Sequence, residues 1–180
     1  MEHMGEDEIW FALRTFHSQE NKVGLYLTQN RLTYFIPMRK VKDVRADRNL
    51  TVHEQPFVHN LIFLRKTLST DGLRKILGLC PYPLSVYSHP DSREHWHEIP
   101  GSEMIELRII CDNTFCEPQI ITQQEYDLKV GRMVRVVHGP MKGVRGKLVR
   151  KNKKYYLLKT IADVGVSISV SRWCCEAEEE

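Results

Sequence analysis

The sequence lacks the features that mark membrane and secreted proteins. Among its 180 residues, no apolar run approaches the ~20 residues that a bilayer-spanning helix needs. The first eight residues are polar and acidic, unlike a secretory signal. Hydrophobic residues make up 42% and charged residues 27%, which is ordinary for a globular protein. We therefore expect a cytoplasmic protein with no membrane partner, built as one medium domain or two small ones.

The sequence motifs of the large enzyme classes are also missing. The chain contains no G-x-S-x-G, no G-x-x-x-x-G-K-[ST] and no G-x-G-x-x-G. These motifs carry nucleophilic catalysis and phosphate or dinucleotide binding. We therefore expect a protein that is not an enzyme and needs no cofactor.

Cysteines and histidines are present, but their spacing argues against disulfides and metal centres. The five cysteines include no C-x-x-C pair, and the adjacent Cys174 and Cys175 would bridge only with strain. We expect all five to be reduced thiols. His95 and His97, with His89 nearby, could share a strand face, but zinc needs further ligands at recognisable spacing. We predict no metal site and leave the role of these histidines open.

Charge is distributed unevenly along the chain. Residues 127–160 contain eleven Lys or Arg and one acid, whereas the last twenty residues are strongly acidic and the net charge of the whole chain is only +3. A basic block of this kind favours an anionic partner for one region of the protein. A solvated basic face is an equally good interpretation at this stage.

The first ~110 residues alternate between strand and helix patterns, which favours an α+β sandwich with an antiparallel sheet. The predicted strands are 9–15, 33–37, 57–64 and 81–87. The predicted helices are 19–29 (capped by Ser18), 71–77 (capped by Ser69 or Thr70) and a third helix after Pro100–Gly101. Residues 39–49 are charged and aperiodic, and we expect an exposed hairpin or a mobile loop there.

The C-terminal part has a different pattern. Residues 112–126 show no sustained period and are predicted to be a linker. After it we predict about five short strands, at residues 133–138, 146–151, 154–160 and 166–170 among others, separated by glycine and proline turns. Short strands in such a small segment favour a closed antiparallel barrel, because closure removes exposed strand edges.

The run 134–149 (VRVVHGPMKGVRGKLV) resembles the KOW motif, found in the NusG family of transcription factors and in some ribosomal proteins. The matching residues are Gly131, Gly139, Pro140, Met141, Gly143 and Gly146. Residues 9–110 resemble the NusG N-terminal domain. Trp10-Phe11 stands where the family usually has Trp-Tyr, and Phe35-Ile36-Pro37 precedes a basic loop. Here His59-Asn60-Leu61 replaces the family's Pro-Gly-Tyr, which fits a specialised paralogue.

The resemblance implies a NusG-like N-terminal domain (1–112), a linker (113–126) and an SH3-like KOW barrel with an acidic tail (127–180). It implies a transcription elongation or antitermination factor, of the type that serves capsular-polysaccharide operons. Such a factor would dock on the clamp helices of RNA polymerase and recruit a second factor through KOW. The alternative is a ribosomal or other RNA-binding KOW protein.

The resemblance also suggests site residues, each with a plainer alternative. We expect polymerase contacts at Phe11, Phe57, Val58 and Leu61, for which core packing is the alternative. Phosphate-directed contacts to nucleic acid are expected at Arg39, Lys40, Lys42, Arg45 and Arg48, for which a solvated loop is the alternative. Val164 matches the family's partner-facing position in KOW, where the partner would be a ribosomal protein, a termination factor or RNA. We expect a monomer.

Overall fold

The computed structural model describes residues 5–44, 50–89, 92–112, 118–161 and 164–178. The chain divides into two compact units, the first made of Met1–Met38 with Glu54–Ile105 and the second of Arg39–His53 with Glu106–Glu180. The strands up to the third helix are β1 Ile9–Thr15, β2 Tyr34–Phe35, β3 Met38–Val44, β4 Leu50–Pro56, β5 Leu61–Arg65, β6 Leu84–Val86, β7 Ser88–His89, β8 Ser92–Trp96 and β9 Glu98–Pro100. The helices are α1 Glu20–Gln29, α2 Thr70–Gly78, α3 Gly101–Asp112 and α4 Gln123–Asp127. The remaining strands are β10 Gln119–Ile121, β11 Arg132–Val136, β12 Arg145–Lys151, β13 Lys154–Ile161, β14 Val164–Val170 and β15 Cys175–Ala177, with a 3-10 turn at Arg172–Cys174.

The first unit is built on an antiparallel sheet of order β2-β5-β1-β6, with β9 also paired to β1. The central strand β1 is buried over nearly its whole length, which explains why its sequence is a continuous apolar run and does not alternate. Phe11 pairs with Leu64, and Leu13 pairs with Ile62. These four side chains share one sheet face with apolar residues of α1 and α2.

The second unit contains a six-stranded antiparallel sheet of order β10-β14-β13-β12-β11-β15. Asn152 and Lys153 join β12 to β13 with φ of 50° and 64°, the geometry of a two-residue hairpin turn that matches strand twist. In the described part of the chain the pairing path ends at β10 and β15. The predicted α+β class with antiparallel sheets is confirmed, whereas a closed barrel stays a prediction.

Several sequence-based boundaries differ from the structure. The predicted strand 57–64 begins only at Leu61, because residues 57–60 form a turn in which Asn60 has a φ of 61°. Ser18 does not cap α1, since it has a φ of 52° and Gln19 holds the cap position. The predicted cap at Ser69 is confirmed, because its Oγ accepts the N–H of Gly72 at 3.2 Å.

The segment predicted as a linker contains regular structure. β10 pairs with β14, so the sheet has one strand more than predicted. α4 follows it with a capping box, in which Thr122 Oγ accepts from Glu125 N at 3.2 Å and Glu125 Oε2 accepts from Thr122 N at 2.9 Å. The hydrogen bond from Thr122 also lowers the pKa of Glu125. In the segment 39–49, predicted as an exposed hairpin or a mobile loop, residues 39–44 belong to β3, which pairs with β4 beyond the segment. Residues 45–49 lie outside the described residues.

Candidate interaction surfaces

The turn at residues 57–60 is fixed to the loop between β1 and α1. The Asn60 side chain accepts a hydrogen bond from Ser18 N at 2.9 Å, and the Asn60 carbonyl accepts one from Thr15 N at 2.9 Å. The Asn60 N–H donates to Glu20 Oε1 at 2.5 Å, and Glu20 is only 4% exposed. Asparagine tolerates left-handed backbone better than most residues, so it can replace a glycine here. These bonds therefore hold Val58 and His59, the two residues before Asn60, in a defined geometry.

Three of the four predicted polymerase contacts lie at or beside this turn, the fourth, Phe11, lies farther along β1, and most of the four are buried. Phe11, Phe57 and Leu61 are 1%, 5% and 2% exposed, so they present little surface and support the sheet from within. Val58 is half-buried and His59 is exposed. Val58 is thus the predicted contact that retains accessible area, and a polymerase contact there stays a prediction.

The predicted nucleic-acid contacts lie on the β3–β4 hairpin. Arg39 is half-buried and Lys40 is exposed on β3. Lys42 belongs to the same strand, although the structure does not describe its side chain. Arg45 and Arg48 lie outside the described residues. Nucleic-acid contact at these positions stays a prediction.

A groove in the first unit lies between β1, the start of α2 and β8. Its volume is about 710 Å³. The Trp96 ring meets Phe11 edge-on with centroids 5.1 Å apart, and the Arg74 guanidinium lies 5.5 Å from the Trp96 centroid. Lys66 forms a 2.6 Å ion pair with Glu98. The other lining residues are Thr70, Asp71, His95 and His97. The lining carries both signs of charge, from Arg74 and from Asp71 and Glu98.

The histidines singled out by the sequence fall beside this groove. His95 and His97 both line it, while the side chain of His89 is not described. Within the described ranges, no three histidine, cysteine or acidic side chains come together as a metal site.

Burial and the neighbouring Asp112 raise the pKa of the Cys111 thiol to about 12. That thiol therefore stays protonated at neutral pH.

The glycine-rich motif of the second unit forms the loop between β11 and β12. Gly139 and Gly143 have φ of 87° and 98°, which explains the need for glycine at both positions. Val136 N donates to Val144 O at 2.9 Å, and Gly143 N donates to Val136 O at 2.8 Å. Met141 is 4% exposed and is folded inward, while Pro140 is exposed.

Two further motif glycines lie where strands approach closely, and Val164 is the first residue of β14. A Cβ added at Gly131 or Gly146 would approach a carbonyl oxygen of a neighbouring strand to 2.5 Å. Val164 pairs with Ile161 across the β13–β14 turn and is half-buried. A partner contact at Val164 stays a prediction.

One aromatic pair was missed at the sequence level. The His138 and Trp173 rings stack with centroids 6.1 Å apart and an interplanar angle of 28°. Trp173 is 74% exposed. The sequence feature that could have indicated this pair is the position of Trp173 in the run Arg172–Cys174, outside any predicted apolar strand or helix.

Comparison with known proteins identifies a family for the region that contains the first unit. A search of curated proteins finds no match. The family model for transcription termination factor NusG matches residues 8–108, more than half of the chain. The chain belongs to the NusG family. NusG proteins are transcription factors that act with RNA polymerase, so the predicted role in transcription is confirmed at that level. Among the described residues no helix combines the length and apolarity needed to cross a membrane.

Proposed function

We propose that this NusG-family protein is a transcription elongation or antitermination factor that binds RNA polymerase through its first unit. The observation that supports this most strongly is the family match over residues 8–108. The matched range includes every strand of the first unit's central sheet, together with α1 and α2. Binding would favour one conformer of the polymerase, the closed elongating state, and so reduce pausing and termination. No chemical step is required of the protein in this account.

The proposed polymerase contact surface is the turn at residues 57–60. Interfaces use apolar side chains held in fixed positions, because ordering a mobile group on binding costs entropy. Val58 satisfies this requirement, since the bonds of Asn60 to Ser18, Thr15 and Glu20 already hold the turn. The buried Phe57 and Leu61 would hold the backbone beneath that surface.

The β3–β4 hairpin is proposed to contact nucleic acid. Lys40 is exposed and Arg39 half-exposed, and both would bind phosphates and not bases. The remaining predicted contacts on this hairpin are Lys42, Arg45 and Arg48. Such binding would weaken as salt is raised.

The second unit is proposed to be a KOW domain of SH3-like barrel type, joined through residues 113–126 to a domain of residues 1–112. The positive φ at Gly139 and Gly143 and the close strand approach at Gly131 and Gly146 support the assignment of residues 127–180. Recruitment of a ribosomal protein or a termination factor would use the surface around Val164. We further propose that the chain is a paralogue specialised for capsular-polysaccharide operons, since His59-Asn60-Leu61 departs from the family sequence.

A reconstituted transcription assay tests the proposal. Polymerase from the native host, transcribing the leader of the protein's own operon, should read through a terminator more often when the protein is added. Unchanged read-through and unchanged pausing on that template would contradict it. Because of the basic segment, a ribosomal role is the second candidate. Exclusive association with ribosomes at high salt would favour that role over transcription.

A further inference from the structure

The stacked His138–Trp173 pair occupies a defined place at one end of the second unit's sheet. Val137 N donates to Cys174 O at 2.8 Å, and Val136 pairs with Cys175 where β11 meets β15. Val137 precedes His138 and Cys174 follows Trp173, so these backbone bonds fix the positions of both rings. Their stacking therefore does not depend only on the contact between the rings. Arg172 Nη1 also donates to Cys175 O at 2.9 Å, which holds the 3-10 turn that carries Trp173.

Exposure of the Trp173 ring is unusual for its size. Tryptophan is highly buried on average, yet 74% of Trp173 is accessible, compared with 1% for Trp10. The neighbouring core positions of this end of the sheet are filled by Val136, Val144 and Cys175. Trp173 is therefore not needed to complete the core, and its open ring is available for a flat partner.

The segment that contains His138 is rich in exposed basic residues, whereas acidic residues follow Trp173 in the chain. Nine of the eleven Lys and Arg residues between 127 and 160 are exposed, and the only acid in that segment is Asp127. Lys142 is one of them and lies in the same loop as His138. Glu176 lies opposite Arg135 in the strand pairing, and Glu178 forms ion pairs with Arg135 and Arg145. Seven of the nine exposed basic residues are thus outside the ion pairs of Glu178. This charge complements a polyanion.

We propose that the His138–Trp173 pair is a stacking platform for a base of single-stranded nucleic acid, with exposed basic residues of segment 127–160 binding its phosphates. Proteins that bind single strands combine exposed aromatic rings with a basic surface in this way. A duplex has no unstacked base to offer, so it cannot use the rings. A single strand offers both an open base for the rings and phosphates for the basic residues.

The test uses the full-length protein without polymerase, so its result is independent of the transcription proposal. The probes are oligouridine and oligothymidine of about 12 nucleotides, an RNA duplex of the same length, and inorganic polyphosphate. We expect both single strands to quench tryptophan fluorescence and to bind more tightly than the duplex. Tighter binding of RNA than of DNA would assign the site to a transcript, and the reverse would assign it to a displaced DNA strand.

Three variants separate stacking from charge. Trp173→Ala should weaken single-strand binding about tenfold or more and leave polyphosphate binding unchanged. Trp173→Phe should retain most of the affinity, because a flat ring remains. Val130→Ala is the matched control, since Val130 is 97% exposed in the same unit but precedes the other end of β11.

Two results would overturn the proposal. Equal affinities of Trp173→Ala and wild type for single strands would show that the ring does not stack on a base. Loss of a specific protein partner in Trp173→Ala, with single-strand affinity intact, would assign the pair to a protein interface.

Discussion

The turn at Asn60 gives a stability prediction that separates two physical effects. Replacing Asn60 by alanine removes the bond from Ser18 N to Asn60 Oδ1, worth about 1 kcal/mol. It also places a Cβ-bearing residue without a polar side chain at a φ of 61°, which costs about 1–2 kcal/mol. The expected loss is about 2.5 kcal/mol. Asn60→Gly loses the same bond without the steric strain, but adds chain entropy, for a loss of about 1.5 kcal/mol.

Urea denaturation measures this order directly. In a Trp173→Phe background, the remaining tryptophans, Trp10 and Trp96, both report on the first unit. With an m-value of about 2 kcal/mol/M, the midpoint should fall by about 1.2 M in Asn60→Ala and about 0.7 M in Asn60→Gly. His59→Ala, at the exposed neighbouring position, should shift it little. A glycine variant less stable than the alanine variant, or an alanine variant as stable as wild type, would refute the reasoning.

Three further predictions concern residues of the second unit. Gly143→Ala should destabilise the second unit by at least about 1 kcal/mol in urea, because φ is 98°, whereas Lys142→Ala beside it should cost less than about 0.5 kcal/mol. Glu106→Ala should cost about 2–3 kcal/mol, since its carboxylate and its 2.7 Å lysine partner are 12% and 13% exposed. Glu98→Ala should cost at most about 1 kcal/mol, because that pair is more exposed. Cys111, with its pKa raised to about 12, should resist iodoacetamide at pH 8 until urea unfolds the chain. Its contribution to stability should fall as the pH rises above the ordinary thiol value of 9.0, because the folded state keeps the proton.

The sequence predicts features that depend on local chemistry better than those that depend on distant partners. Glycine at 139 and 143 could be assigned to turns because few other residues accept such backbone angles. The start of β5 could not be placed, because the run 57–64 is mostly apolar and nothing local shows that Asn60 bonds to Ser18 and Glu20. Those partners are about 40 residues away in the chain.

The site predictions show a similar division. The apolar residues near the turn were identified, but their burial depends on which strand face each one occupies, and a strand boundary error changes that face. α4 could have been found from the T-x-x-E signature at Thr122, which predicts a capping box. The stacking of Trp173 on His138 could not, since it requires β11 to pair with β15.

Direct binding to RNA polymerase tests the central claim most directly. The full-length protein would be titrated against core polymerase from the native host, alongside Val58→Asp and the matched surface variant Val130→Asp. We expect saturable binding by wild type and by Val130→Asp, and binding at least about tenfold weaker for Val58→Asp, because a carboxylate would be buried in an apolar contact. No saturable binding by wild type, or unchanged binding by Val58→Asp, would contradict the account.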